Sequence, residues 1–173
     1  MTVVERLLRH DAWTTRTLLE LSADLSDSAL DREFDIGHHT LRRTFVHMVS
    51  NMECWCDLMC GWPQRKVNLE SVHQDSIVGL AIRLGQVSQE LLTLGIEVAS
   101  QGREEEFFVD YLAKPPRKKP LGAGLLHIAT HGMHHRAHCI YIMRQLGVQN
   151  LIEGDALSWE RIYRGLEAWP EAH

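Results

Sequence analysis

Apolar residues return at three- and four-residue intervals along most of the chain, and the places where that rhythm stops mark its elements. Val4, Leu7, Leu8, Ala12, Leu18, Leu19 and Leu25 predict an amphipathic first helix from Val3 to Asp24, with Thr2 as its cap. Asp24 to Asp27 reads as a connection. A second helix is predicted from Thr40 to the stop at Gly61, Trp62 and Pro63, on the stripe Leu41, Phe45, Met48 or Val49, Met52, Cys56 and Met59. The third runs from Asp75 and Ser76 to Ala99 through Ile77, Leu80, Leu84, Val87, Leu91, Leu94 and Val98. Gly79, Gly85 and Gly95 each cost it up to about 1 kcal/mol and read as points of close helix approach.

Gln101 to Pro120 breaks the pattern. Phe107 to Leu112 reads as a strand, and Pro115, Pro116 and Pro120 surround Arg117, Lys118 and Lys119, which fits a short hairpin or an extended loop. The fourth helix is predicted from Leu121 to Leu146, ending at Gly147, and a loop through Gly154 leads to a short last helix from Ser158 to Ala168. The chain shows neither an internal repeat nor a low-complexity tract. The expected fold is an all-α four-helix bundle with small additions, as a single domain over residues 1–173.

Composition narrows the function classes. A hydrophobic fraction of 45% with 24% charged residues suits a packed core and argues against disorder. Eighteen basic against twenty-three acidic side chains leave a net charge of -5, with no global attraction for nucleic acid or an anionic membrane. Arg117, Lys118 and Lys119, with Arg42 and Arg43, are too few to change that, and the triplet reads as a solvated loop. No apolar run approaches the roughly 20 residues that span a bilayer. Glu5, Arg6, Arg9 and Asp11 near the N-terminus are unlike a signal peptide, so a soluble, cytoplasmic protein is expected. Cys54, Cys56, Cys60 and Cys139 lack paired C-x2-C spacing and read as reduced thiols in helix packing.

Histidine changes the picture most. The chain has eleven, and His127, His131, His134, His135 and His138 all fall on the fourth helix. Residues four apart stack on one helix face, so His127/His131, His131/His135 and His134/His138 are each possible metal chelates. On a wheel of about 100° per residue with His127 at zero, His131 near 40° and His135 near 80° border the apolar side, which spans roughly 60–160°. His127 and His134 turn towards solvent, and His138 is intermediate. His131/His135 is therefore the best pair, and His47, mid-helix beside the second apolar stripe, is the natural third ligand. The absence of a Glu in an H-E-x-x-H arrangement excludes a metalloprotease of that type. His10, His38, His39, His73 and His173 sit among polar neighbours and read as solvated. Trp13, Trp55, Trp62, Trp159 and Trp169 read as core or dimer packing, with Trp55, Cys54 and Cys56 able to line the pocket.

Three segments resemble the DinB/YfiT family of metal-binding four-helix bundles. They are His10 to Trp13 followed by Leu18 and Leu19; Leu41 to Val49 (LRRTFVHMV); and Leu126 to Arg136 (LHIATHGMHHR) followed by Met143 to Gly147 (MRQLG). The last is similar to the family's H-x-x-x-H-R-G-Q with a downstream Leu-Gly, although Ala137 and His138 replace its Gly and Gln. Thr15 stands where the family often has Asn. The resemblance implies an up-down-down-up bundle, His47, His131 and His135 as ligands of a divalent metal such as zinc or nickel, and a homodimer. It also implies a metal-dependent enzyme activating a low-molecular-weight thiol or water on a small-molecule substrate, as a thiol S-transferase or hydrolase. Arg136 or His134 would orient an anionic group if either faces the opening. A non-catalytic metal-binding stress-response protein is the alternative.

Overall fold

Local signals start three of the long helices where the sequence places them. The computed structural model describes residues 1–65 and 75–166. Helix α1 (Val3–Leu21) begins in a capping box: Thr2 Oγ1 accepts from the Glu5 amide at 3.2 Å, and the Thr2 amide donates to Glu5 Oε2 at 2.7 Å. Thr40 caps α3 (Leu41–Cys60), which ends at Gly61 in the left-handed region. Ser76 caps α4 (Ile77–Gln101). Between α1 and α3 lies a one-turn helix, α2 (Asp27–Leu30), in a stretch the apolar rhythm leaves unassigned.

Strands β1 (Phe107–Asp110) and β2 (Arg117–Pro120) pair antiparallel, with Phe108 opposite Lys119. The hairpin expectation thus holds. Arg117, Lys118 and Lys119 are strand residues rather than a loose loop, and Lys119 pairs with Asp110 at 2.8 Å while its ammonium lies 4.6 Å from the centre of the Trp55 ring. Helix α5 (Leu121–Gln145) follows β2 directly, and α6 (Ala156–Tyr163) starts on an Asp155 cap. The predicted end of the last helix, with Trp169 and His173, lies outside the described residues, as does His73.

Side-chain contacts fix the helix directions. Arg16 lies beside Gly85 while Leu8 and Val4 lie beside Gly95, so α1 and α4 are antiparallel. Glu53 pairs with Arg83 and Cys56 reaches Glu90, so α3 and α4 are parallel. Met48 meets Cys139 while Met59 meets Gly124, so α3 and α5 are antiparallel. Asp11 meets Arg136 and Ser22 meets Met143, so α1 and α5 are parallel. The result is an all-α up-down-down-up bundle in the order α1, α3, α4, α5. Its core holds Leu18, Leu19, Leu41, Phe45, Leu80, Leu84, Ile128 and Ile142, each almost fully buried.

Candidate metal centre

The α3–α5 seam carries the histidines. His47 leans from the first half of α3 across to the middle of α5, where His131 and His135 stand one turn apart. His131 Nε2 lies 3.3 Å from His47 Nε2 and 3.2 Å from His135 Nε2. These two of the trio's three separations match the edge of a tetrahedron around an ion with N–metal bonds of about 2.0–2.1 Å, an edge of roughly 3.3 Å. The structure thus brings together the three residues that the wheel and the family resemblance selected. His127 and His134 are exposed and His138 is half-buried, as the wheel predicts.

One member of the cluster escaped the sequence reading. His38, expected to be solvated, is half-buried, with its ring centroid 3.9 Å from that of His47 and 5.2 Å from that of His135. His38, His47 and His135 bring one nitrogen each within 4.8 Å of one another, a set suited to a metal ion. The loop from Asp31 to Thr40 delivers it. Gly37 and His39 both take positive φ, and the Phe34 amide donates to the His39 carbonyl at 2.7 Å, so the loop folds back over the start of α3. His10 is a second correction: it is half-buried, and its Nε2 lies 2.8 Å from the Gly154 carbonyl.

Burial sets the protonation state of the cluster. Loss of hydration, reinforced by the neighbouring imidazoles, pushes His47 down to about 4 and His135 to about 3. His131 and His38 move the same way for the same first cause. Neutral imidazoles are what a cation needs, because a protonated ring has no lone pair to give. His135 is only 7% exposed, and its Nδ1 and that of His138 are buried with no hydrogen-bond partner. The donor set is all nitrogen and free of carboxylates, which suits a borderline divalent ion of the zinc or nickel kind.

A cleft of about 610 Å³ opens beside the cluster, with His38, Arg43, His47, Ser50 and Asn51 in its wall. Arg43 is exposed and makes no ion pair among the described residues, which leaves its guanidinium available to an anion. Arg136, the cation expected to orient such a group, does not face this opening. It is buried, paired with Asp11 and 3.3 Å from Thr15 Oγ1, so its guanidinium braces α5 against α1. The sequence reading weighed Arg43 only among the basic residues; its place one helical turn before His47 is the signal that could have found it. Trp55 meets His127 edge-on, at 5.0 Å between centroids, and Cys56 is buried with its thiol towards Glu90.

An antiparallel pair of bundle helices facing each other through histidines defines a helical protein with clusters suited to a divalent metal. The sequence model of the DinB family matches residues 1–158, and the chain belongs to the DinB family. The search of curated proteins finds no match. Among solved structures, a DinB-like protein from Bacillus cereus ATCC 10987 is similar with a TM-score of 0.62 and 21% sequence identity, over 82% of this chain and 89% of that chain. That likeness is one of fold.

Proposed function

We propose that the chain is a metal-dependent enzyme in which His47, His131 and His135 hold one divalent ion, zinc or nickel, for chemistry on a small molecule that uses a low-molecular-weight thiol or water. The observation that carries this reading is the convergence of His131 Nε2 on those of His47 and His135, at 3.3 and 3.2 Å, beside a cleft wide enough for a small substrate. A bound divalent cation lowers the pKa of a thiol or water and so supplies the nucleophile at neutral pH. The chain's own residues do the rest. Arg43 attracts and orients an anionic group in the cleft, and Ser50 and Asn51 offer it hydrogen bonds. Phe45 and Met48, buried on either side of His47 in sequence, hold the α3 side of the cluster in a fixed packing.

The test is elemental analysis of untagged protein, wild type beside His47→Ala and His131→Ala. The expected result is about one tightly held divalent ion per wild-type chain as purified, with the metal content of both variants sharply reduced. Failure to retain any ion after reconstitution with zinc, nickel or manganese would overturn the reading. Conjugation of a thiol to an electrophile should then disappear in His131→Ala, and unchanged conjugation would remove the thiol-transfer arm.

A further inference from the structure

A second histidine set lies on the solvent side of the first. His134, His135 and His138 bring one ligand nitrogen each within 4.8 Å of one another. The His134 and His138 rings, one turn apart on α5, are 4.4 Å between centroids, and His135 is 5.0 Å from the first and 5.6 Å from the second. Accessibility falls inward: His134 is exposed, His138 half-buried and His135 buried. Among the described residues, the two buried ring nitrogens without partners, Nδ1 of His135 and Nδ1 of His138, both belong to this set. Buried polar atoms in native proteins are nearly always satisfied, so two orphans in one trio point to a group that arrives from outside.

His135 is common to both sets, and this constrains how they are used. A neutral imidazole carries one lone pair, because its other nitrogen holds the proton. While His135 gives Nε2 to the inner site, its Nδ1 is a donor and cannot bind a second ion. Two dications a few ångströms apart would in any case repel each other strongly. The sets are therefore alternatives. We propose that His134, His135 and His138 form an outer divalent-cation position that alternates with the inner one, so that an ion lands on His134 and His138 and passes inward through His135. The proposal rests on the inner cluster being a metal centre. An ion handed between imidazoles keeps at least one protein ligand throughout, which avoids a fully hydrated intermediate inside the seam. The ligand class is the one imidazole sets take, a borderline divalent ion such as zinc, nickel or cobalt.

Cobalt(II) alone, followed by its visible absorbance, is the probe, with circular dichroism confirming the fold of every variant. The wild-type chain is expected to saturate with one cobalt. A His47→Ala/His131→Ala chain should still bind cobalt, more weakly, and lose that binding when His138→Ala is added. His134→Ala/His138→Gln in the otherwise intact chain should reach the same end-point as wild type but fill several-fold more slowly in stopped-flow mixing. Should the double variant fail to fold, His134→Ala at its exposed position carries the kinetic arm. Wild type binding one cobalt while the His47→Ala/His131→Ala chain binds none would overturn the outer position. Two cobalts bound together by wild type would overturn the alternation, and unchanged filling kinetics would overturn the inward passage. Loss of all cobalt from His134→Ala/His138→Gln would make these residues ligands of a single centre and also overturn it. No cobalt on wild type is a separate outcome, which removes the inner site and this proposal with it.

Discussion

Asp11 and Arg136 show how one residue pair supports the histidine next to it in sequence. Both are buried, and Gly132 lets them meet: a Cβ there would fall 2.8 Å from Arg136 Nη1 and collide with the Asp11 carboxylate. Burial pushes the Asp11 carboxyl up, against the pull of Arg136 downward, so each charge depends on its partner. Asp11→Ala should destabilise the chain by about 3–5 kcal/mol, because it leaves a buried cation unpaired. Urea unfolding measures this, and a loss under about 1 kcal/mol would mean that Arg136 finds water instead. At this scale the sequence was readable wherever a residue sits on a helix. His131 and His135 followed from four-residue spacing, and His47 from its place beside an apolar stripe. His38 did not, because a loop has no period, and its position depends on the positive φ of Gly37 and His39. Arg136 misled for the opposite reason: its place beside His135 says nothing of which way its helix face turns until α1 is packed there.

Elements were legible to within a few residues because their ends are chemical. Thr2, Thr40 and Ser76 start helices and Gly61 stops one, each as its residue type dictates. The one-turn α2 was not legible, since four residues cannot display a helical period. Its Asp27, with Asp31 just beyond it, clamps the buried Arg42 of α3 and so anchors one end of the loop that carries His38. The glycines of α4 looked alike in sequence and differ in the fold. A Cβ on Gly95 would lie 2.5 Å from Leu8 Cδ1 and 3.1 Å from Val4 Cγ1, inside the α1–α4 contact. A Cβ on Gly85 would meet only the end of the Arg16 side chain, at 3.2 Å. Gly95→Ala should therefore destabilise by about 1–3 kcal/mol through overpacking, while Gly85→Ala should gain about 0.5–1 kcal/mol of helix propensity. Thermal melts of the two variants, measured side by side, should move in opposite directions.

The packed bundle favours the neutral form of the clustered His38, His47, His131 and His135, and its stability carries the signature. In the metal-free chain His47 titrates near 4 and His135 near 3, both below the ordinary value of 6.5. Between pH 6.5 and 4 the unfolded chain binds more protons than the folded one, so stability falls as the pH falls through that window. The melting temperature of metal-free protein should drop from pH 7.5 to pH 5, and His135→Gln should flatten the slope. An unchanged slope in that variant would place the burden on other groups. Bundle class was legible from periodicity and topology from the family resemblance. The seam each helix shares with its neighbours was not, because amphipathic stripes say what is buried but not against what. Those seams are unequal. Arg83 ties α4 to Glu53 of α3, and Arg136 ties α5 to Asp11 of α1. Among the described residues, neither α3 and α5 nor α1 and α4 share such an ionic tie, and the polar contacts of α3 with α5 are imidazoles and the Cys139–Met48 sulfur contact. The bundle thus resembles two pairs of pages, α3 with α4 and α1 with α5, each stitched by one ion pair and laid together along two unstitched seams, one of which carries the histidines. On the function proposed above, an ion held by His47 and His131 would be the stitch of that seam, and amide exchange along α3 and α5 should slow when metal is added.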